Sequence, residues 1–146
     1  MGHDDAKGLR SGMTVRVLVV DDEPDIRLVA RAALTKVGCQ VIVAGTGLEA
    51  LARAVQDQPD VILLDCMLPD LDGFDTCARL KAEPATCNIP VVFLTGKTDQ
   101  AAIERGLALG ARGYISKPFN PLTLGRQVQE ILRPACSSPA PEEPSL

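Results

Sequence analysis

VRVLVVDDEPDIRLVARAALTKVG, residues 15–38, decides the fold. Val15 to Val20 is apolar almost without a break, as in a strand buried on both faces of a parallel sheet. From Pro24 the spacing changes. Ile26, Val29, Ala30, Ala33, Leu34 and Val37 recur at threes and fours and Gly38 stops the run, which predicts a helix. Between strand and helix lies an acidic turn, Asp21-Asp22-Glu23.

The same unit recurs along the chain. Short apolar runs at Val41–Ala44, Val61–Leu64, Val91–Leu94 and Gly113–Ser116 predict four more strands. Thr46 and Glu49 form a capping box ahead of a helix carrying Leu48, Leu51, Ala52 and Val55. A third helix is expected over about Phe74 to Ala82, with Phe74, Cys77 and Leu80 on one face. Thr98 is placed to cap a fourth, which carries Ile103, Leu107 and Ala108 and ends at Gly110. A fifth follows Pro121 with Leu124, Val128, Ile131 and Leu132. Five βα units predict a doubly wound α/β protein with a five-stranded parallel sheet, flavodoxin-like if the order is 2-1-3-4-5. Ligands then bind outside the carboxyl ends of the strands. Residues 14–133 form the domain. Residues 1–13 read as a polar tail, and residues 134–146, rich in Pro, Ser and Glu, as a disordered one.

Composition removes several function classes. The 146 residues are 46% apolar but only 3% aromatic, which disfavours base-stacking nucleic-acid modules. Fifteen Lys and Arg against nineteen Asp and Glu give a net charge of −4, so no basic footprint for nucleic acid or anionic lipid is present. No apolar run reaches the roughly 18–20 residues of a membrane span, and the first residues lack a signal peptide's apolar stretch. Five cysteines without a CxxC pair, and a single His, fit reduced thiols rather than a zinc site or a disulfide frame. A cytoplasmic protein is expected.

The chemistry lies at the strand ends. The first strand runs into Asp21 and Asp22, the third into Asp65, the fourth ends at Thr95 and the fifth at Lys117-Pro118. With the first and third strands adjacent, three carboxylates converge. At 4 Å and an effective dielectric near 20, each ionised pair repels by about 4 kcal/mol, so either a proton or a cation must sit among them. Hard oxygen ligands point to Mg2+. Helix capping by Asp21 and Asp22 is the plainer alternative, but it leaves Asp65, Thr95 and Lys117 unexplained. A flavin or nucleotide phosphate is disfavoured because the first turn is acidic rather than rich in Gly, Ser or Thr.

VLVVDDEPDIR (17–27), VILLDCMLPDLDGF (61–74), VVFLTGKTD (91–99) and GARGYISKPF (110–119) together resemble the receiver domain of two-component response regulators, over nearly all of residues 15–133. The resemblance implies that Asp65 accepts a phosphoryl group from a phosphohistidine on a sensor histidine kinase or phosphotransfer protein. Asp22, Asp65 and the backbone carbonyl of Met67 would bind Mg2+ directly, and Asp21 mainly through water. Lys117 would pair with Asp65 and then with the phosphoryl group, and Thr95 would hydrogen-bond it. Movement of Thr95 would let Tyr114 rotate inward and remodel the face of the fourth helix, fifth strand and fifth helix, through which a downstream protein is controlled. Pro118 is expected to follow a cis bond, and Gly96 to leave the pocket open to a donor.

Chemistry agrees with these roles, because a carboxylate attacks phosphorus only when cations neutralise the phosphoryl oxygens. Met67 and Lys97 stand at the rate-modulating positions. Neither suits orienting an attacking water, so a long phosphoryl lifetime is expected. GARGY stands where the winged-helix branch commonly has GADDY, and Gln127 where that branch has an Arg, which counts against dimerisation by that face. Arg112 is a solvated charge or a partner contact. The chain is a stand-alone receiver, or the receiver portion of a regulator with a DNA-binding or enzymatic output domain beyond residue 146. A signalling domain rather than a turnover enzyme is expected, since an aspartyl phosphatase would need a second acid where Met67 stands.

Overall fold

The computed structural model describes residues 14–96 and 100–132. Its elements alternate: β1 (Arg16–Val20), α1 (Pro24–Lys36), β2 (Gln40–Ala44), α2 (Gly47–Asp57), β3 (Val61–Asp65), α3 (Gly73–Ala82), β4 (Val91–Thr95), α4 (Gln100–Ala108), β5 (Gly113–Ser116) and α5 (Leu124–Leu132). The strands form one parallel sheet in the order β2-β1-β3-β4-β5.

Strand alternation divides the interior into two cores. Val17, Val19, Leu63, Leu94 and Ile115 face α1 and α5, where Leu34, Leu124 and Val128 meet them. Leu18, Val20, Leu64 and Phe93 face the other way, onto Ala50 and Ala54 of α2 and Phe74, Cys77 and Leu80 of α3. The central strands β1, β3 and β4 are therefore apolar on both sides, whereas the edge strands β2 and β5 are only partly buried.

Two helices present different faces from those expected. In α2 the buried residues are Gly47, Ala50 and Ala54, while Leu48, Ala52 and Val55 are exposed and only Leu51 of the predicted stripe packs inward. In α4 only Gly106 is fully buried, Ile103 is partly buried, and Leu107 and Ala108 are exposed. Helices pressed closely on a sheet bury small residues, and their large neighbours on the flanks point outward. In α1 likewise, Val29, and Val37 just past its end, are exposed while Ala30, Ala33 and Leu34 carry the packing.

The caps also differ in detail. Thr46 Oγ1 accepts from Glu49 N (3.0 Å), but the Glu49 carboxylate accepts from Gly45 N (2.9 Å), one residue before the reciprocal bond of a capping box. The N-cap of α1 is Glu23, with no side-chain cap bond, so Asp22 does not cap it. Gly38 and Gly110 have positive φ (94° and 103°), as stops should. Gln58, also at positive φ, closes α2 by donating to the Ala54 and Val55 carbonyls. Thr98 lies outside the described residues.

Asp70, in the β3–α3 loop, caps α2 from a distance by accepting from Gly47 N (2.8 Å) and Leu48 N (3.0 Å). Partial desolvation pushes its carboxyl up, but the amides of Leu48 and Gly47 outweigh this and hold it below its ordinary value of 3.8. A depressed folded-state pKa stabilises the fold above the unfolded value and is lost as pH falls through the folded one. Because the carboxylate is exposed and screened by solvent, Asp70→Ala should cost only about 0.5 kcal/mol in urea unfolding at neutral pH. The difference from the parent should shrink once the pH falls below the folded-state value. A difference that is absent at neutral pH would remove the cap from the account.

Candidate functional site

Backbone ladder bonds run one step past three strands. Asp21 N donates to Ala44 O (3.1 Å), Cys66 N to Leu94 O (3.2 Å) and Lys117 N to Thr95 O (2.7 Å). Asp21, Asp65, Thr95 and Lys117 are thereby gathered at one edge of the sheet, and alternation sorts them. Asp21, Asp65 and Lys117 fall in step with Val19, Leu63 and Ile115, on the α1/α5 side. Cys66 and Thr95 fall in step with Leu64 and Phe93, on the opposite side.

Carboxylate oxygens of Asp21, Asp22 and Asp65 lie within 4.8 Å of one another. Lys117 Nζ donates to Asp21 Oδ2 at 3.0 Å and faces Asp65 Oδ2 at 3.4 Å. Asp21 is fully buried and engaged at every polar group. Its N–H reaches Ala44, its carbonyl accepts from Arg27 Nη1 (2.7 Å), Oδ1 accepts from Glu23 N (3.0 Å) and Oδ2 accepts from Lys117. Asp22 is exposed. Asp65 is buried, and its Oδ1 accepts from Met67 N (3.2 Å).

The electrostatics follow from that crowding. Burial pushes the Asp65 carboxyl above its ordinary value; the Met67 amide opposes this, the Asp21 charge adds to it, and Lys117 offsets it. Burial works against the Lys117 ammonium, but the hydrogen bond to Asp21 and the charges of Asp65 and Asp21 hold its pKa above the usual lysine value. Burial, followed by the Asp65 charge, pushes the Cys66 thiol up to about 11, so it is a neutral thiol at physiological pH.

A cleft of about 540 Å³ opens over these groups, with Asp22, Asp65, Thr95 and Lys117 on its polar side and Met67 and Phe74 on its apolar side. Gly96 lines it too, and a Cβ added there would meet nothing within 4 Å. Tyr114 does not reach the cleft. It stands 43% exposed beside a separate void of about 10 Å³. Cys66, Thr95 and Ala102 line both spaces and form the partition between them. The Lys117–Pro118 bond is cis, as expected.

Lys97 lies outside the described residues. Arg112 is tied down, with Nη2 donating to Leu132 O at the end of α5 (3.4 Å). Sequence reasoning missed Arg27, which pins the Asp21 carbonyl from one turn into α1, as well as Cys66 and Phe74 as walls of the cleft. Only Phe74 carried a signal, an apolar residue immediately after the Asp72-Gly73 start of α3.

The carboxyl edge of this doubly wound sheet thus holds three acids, a lysine and a threonine, and the three carboxylates could hold a metal ion. The chain belongs to the response regulator receiver domain family, whose model matches residues 17–129. It is 40% identical over 121 residues to the alkaline phosphatase synthesis transcriptional regulatory protein PhoP of Bacillus subtilis, covering 83% of this chain and 50% of that protein. The chemotaxis response regulator CheY4 of Vibrio cholerae has a TM-score of 0.77 at 34% identity, covering 82% of this chain and 99% of that one. The receiver domain of the sensor histidine kinase PA1611 of Pseudomonas aeruginosa, solved with magnesium coordinated in its active site cleft, has a TM-score of 0.74 at 31% identity, covering 82% and 98%. The chain spans about half the length of the curated relatives it matches.

Proposed function

We propose that residues 14–133 take a phosphoryl group from a phosphohistidine donor onto Asp65 and use it to switch the α4–β5–α5 face. The observation that carries this reading is the convergence of Asp65, Asp22, Lys117 and Thr95 on one cleft. An Asp65 carboxylate oxygen forms the new P–O bond as the donor P–N bond breaks, and the leaving imidazole takes a proton from solvent. Lys117, already between Asp21 and Asp65, follows the charge onto the phosphoryl oxygens. Asp21, held at every polar group, fixes that ammonium in place. The Thr95 hydroxyl turns to the phosphoryl group and leaves room for Tyr114 to move inward.

The residues fit a divalent cation. Three carboxylates gather beside one ammonium, the donors are hard oxygens, and burial, with the Asp21 charge adding to it, already raises the pKa of Asp65. Mg2+ would be held by Asp22, Asp65 and the Met67 carbonyl, with Asp21 through water, and supplies positive charge against the phosphoryl oxygens. The donor is a sensor histidine kinase or phosphotransfer protein in the cytoplasm. Met67, with Lys97, gives a long phosphoryl lifetime, since the exposed thioether orients no water.

Incubation with Mg2+ and phosphoramidate tests the proposal. One phosphoryl group should appear by intact mass and map to Asp65, with a shift of the Tyr114 ring resonances. No addition, or addition mapping to another residue, overturns it. A second reading, a receiver that forms part of a longer regulator, is favoured by the half-length coverage of the relatives. The length of the open reading frame separates the two.

A further inference from the structure

The helix α4 is thinly anchored. Gly106 is its one fully buried residue among those described, and a Cβ there would come within 2.8 Å of the Phe93 ring. Beside it, the exposed Arg105 places its guanidinium carbon 4.3 Å from the centroid of the Phe74 ring. Phe74 in turn lies 5.1 Å from Phe93, centroid to centroid, tilted by 37°. Phe74 is also a wall of the cleft and follows Gly73, whose N–H donates to Cys66 O (2.9 Å) and whose Cα backs onto the Asp65 carbonyl. A continuous line of contact thus joins the Asp65 backbone to α4 through Gly73, Phe74 and Arg105, and it does not pass through Thr95 or Tyr114.

We propose that Arg105 is a clamp: seated on Phe74, it holds α4 against the cleft wall and biases the α4–β5–α5 face toward the arrangement with Tyr114 outward. The functional consequence rests on the reading of Asp65 as phosphoacceptor, whereas the clamp itself does not. A guanidinium over an aromatic face at an exposed site is a modest attraction. Among the described residues, the rest of α4's seat is Gly106 on the Phe93 ring with partly buried Ala102 and Ile103, so this contact adds to a short set. Arginine suits the position because its planar head stacks on a ring, whereas a lysine offers only a point charge. Release of α4 then requires this contact to open as well as Thr95 to turn.

Two measurements test the clamp on the full chain. The first needs no phosphoryl donor: amide hydrogen exchange over residues 100–108 should speed up about two- to fivefold in Arg105→Gln, and by less in Arg105→Lys. In a Phe74→Leu background, Arg105→Gln should add nothing further. Unchanged exchange in Arg105→Gln, or an effect that persists in full without the Phe74 ring, overturns the clamp. The second is the affinity for beryllofluoride with Mg2+, which should tighten about two- to fivefold in Arg105→Gln. Faster exchange with unchanged affinity overturns the claimed bias. A parent that binds no beryllofluoride and takes no phosphoryl group at Asp65 defeats the proposed function, while the exchange arm still decides the clamp.

Discussion

Asp65→Asn should abolish phosphoryl incorporation. The amide keeps the shape of the carboxylate but loses the oxygen charge that the proposed transfer, and the proposed Mg2+ ligation, both require. Among the described residues, the two acids beside it, Asp21 and Asp22, are placed differently. Asp21 is sealed by Ala44, Arg27, Glu23 and Lys117, and Asp22 leaves β1 on the other parity, exposed at the rim. The loss should come without unfolding. Asp65 is a buried acid whose pKa is raised by burial and by the Asp21 charge, so removing its charge relieves repulsion with Asp21, and the Lys117–Asp21 pair remains. The variant should therefore melt at or above the parent temperature in chelator. Mass spectrometry after Mg2+ and phosphoramidate, with thermal melts alongside, gives both results. A phosphorylated Asp65→Asn protein would move the acceptor elsewhere, and a collapsed melt would show the carboxylate to be structural.

Gly73→Ala should give the largest loss of stability. A Cβ at position 73 would overlap the Asp65 carbonyl oxygen and come within 2.7 Å of Cys66 Cα. Both obstacles are backbone, so no rotamer change relieves them. Either α3 lifts from β3 or the strand end carrying Asp65 bends, at a cost of about 2–3 kcal/mol. Gly96→Ala is the matched control, since its Cβ would enter open space, and its effect should stay within about 0.5 kcal/mol. Urea midpoints compare them directly, and equal midpoints would dismiss the close approach. Because the same contact fixes Asp65, Gly73→Ala should also slow phosphorylation in whatever fraction remains folded.

Legibility in the sequence followed the packing. The strands were readable because β1, β3 and β4 are buried on both faces and leave near-continuous apolar runs. Strand order and register then carried Asp21, Asp65, Thr95 and Lys117 to one edge. The faces of α2 and α4 were misread because apolar periodicity gives weight to large residues such as Leu48, Val55 and Leu107, whereas close helix–sheet contact is made by Gly47, Ala50, Ala54 and Gly106. Arg27 gave no warning, because an arginine whose target is a backbone carbonyl leaves no partner residue to look for. Asp70 was equally silent, being a cap that arrives from another loop.

Asp65 and Cys66 are neighbours in the chain yet belong to different halves of the molecule, because a strand turns successive side chains to opposite faces. Under the proposed function this separates the writing of a signal from its reading: Asp21, Asp65 and Lys117 lie on one side, Tyr114 on the other, and Cys66, Thr95 and Ala102 form the wall between them. An engineer wishing to redirect such a receiver to a new listener has a natural plane along which to cut, and can redraw the second side while leaving the first as it stands.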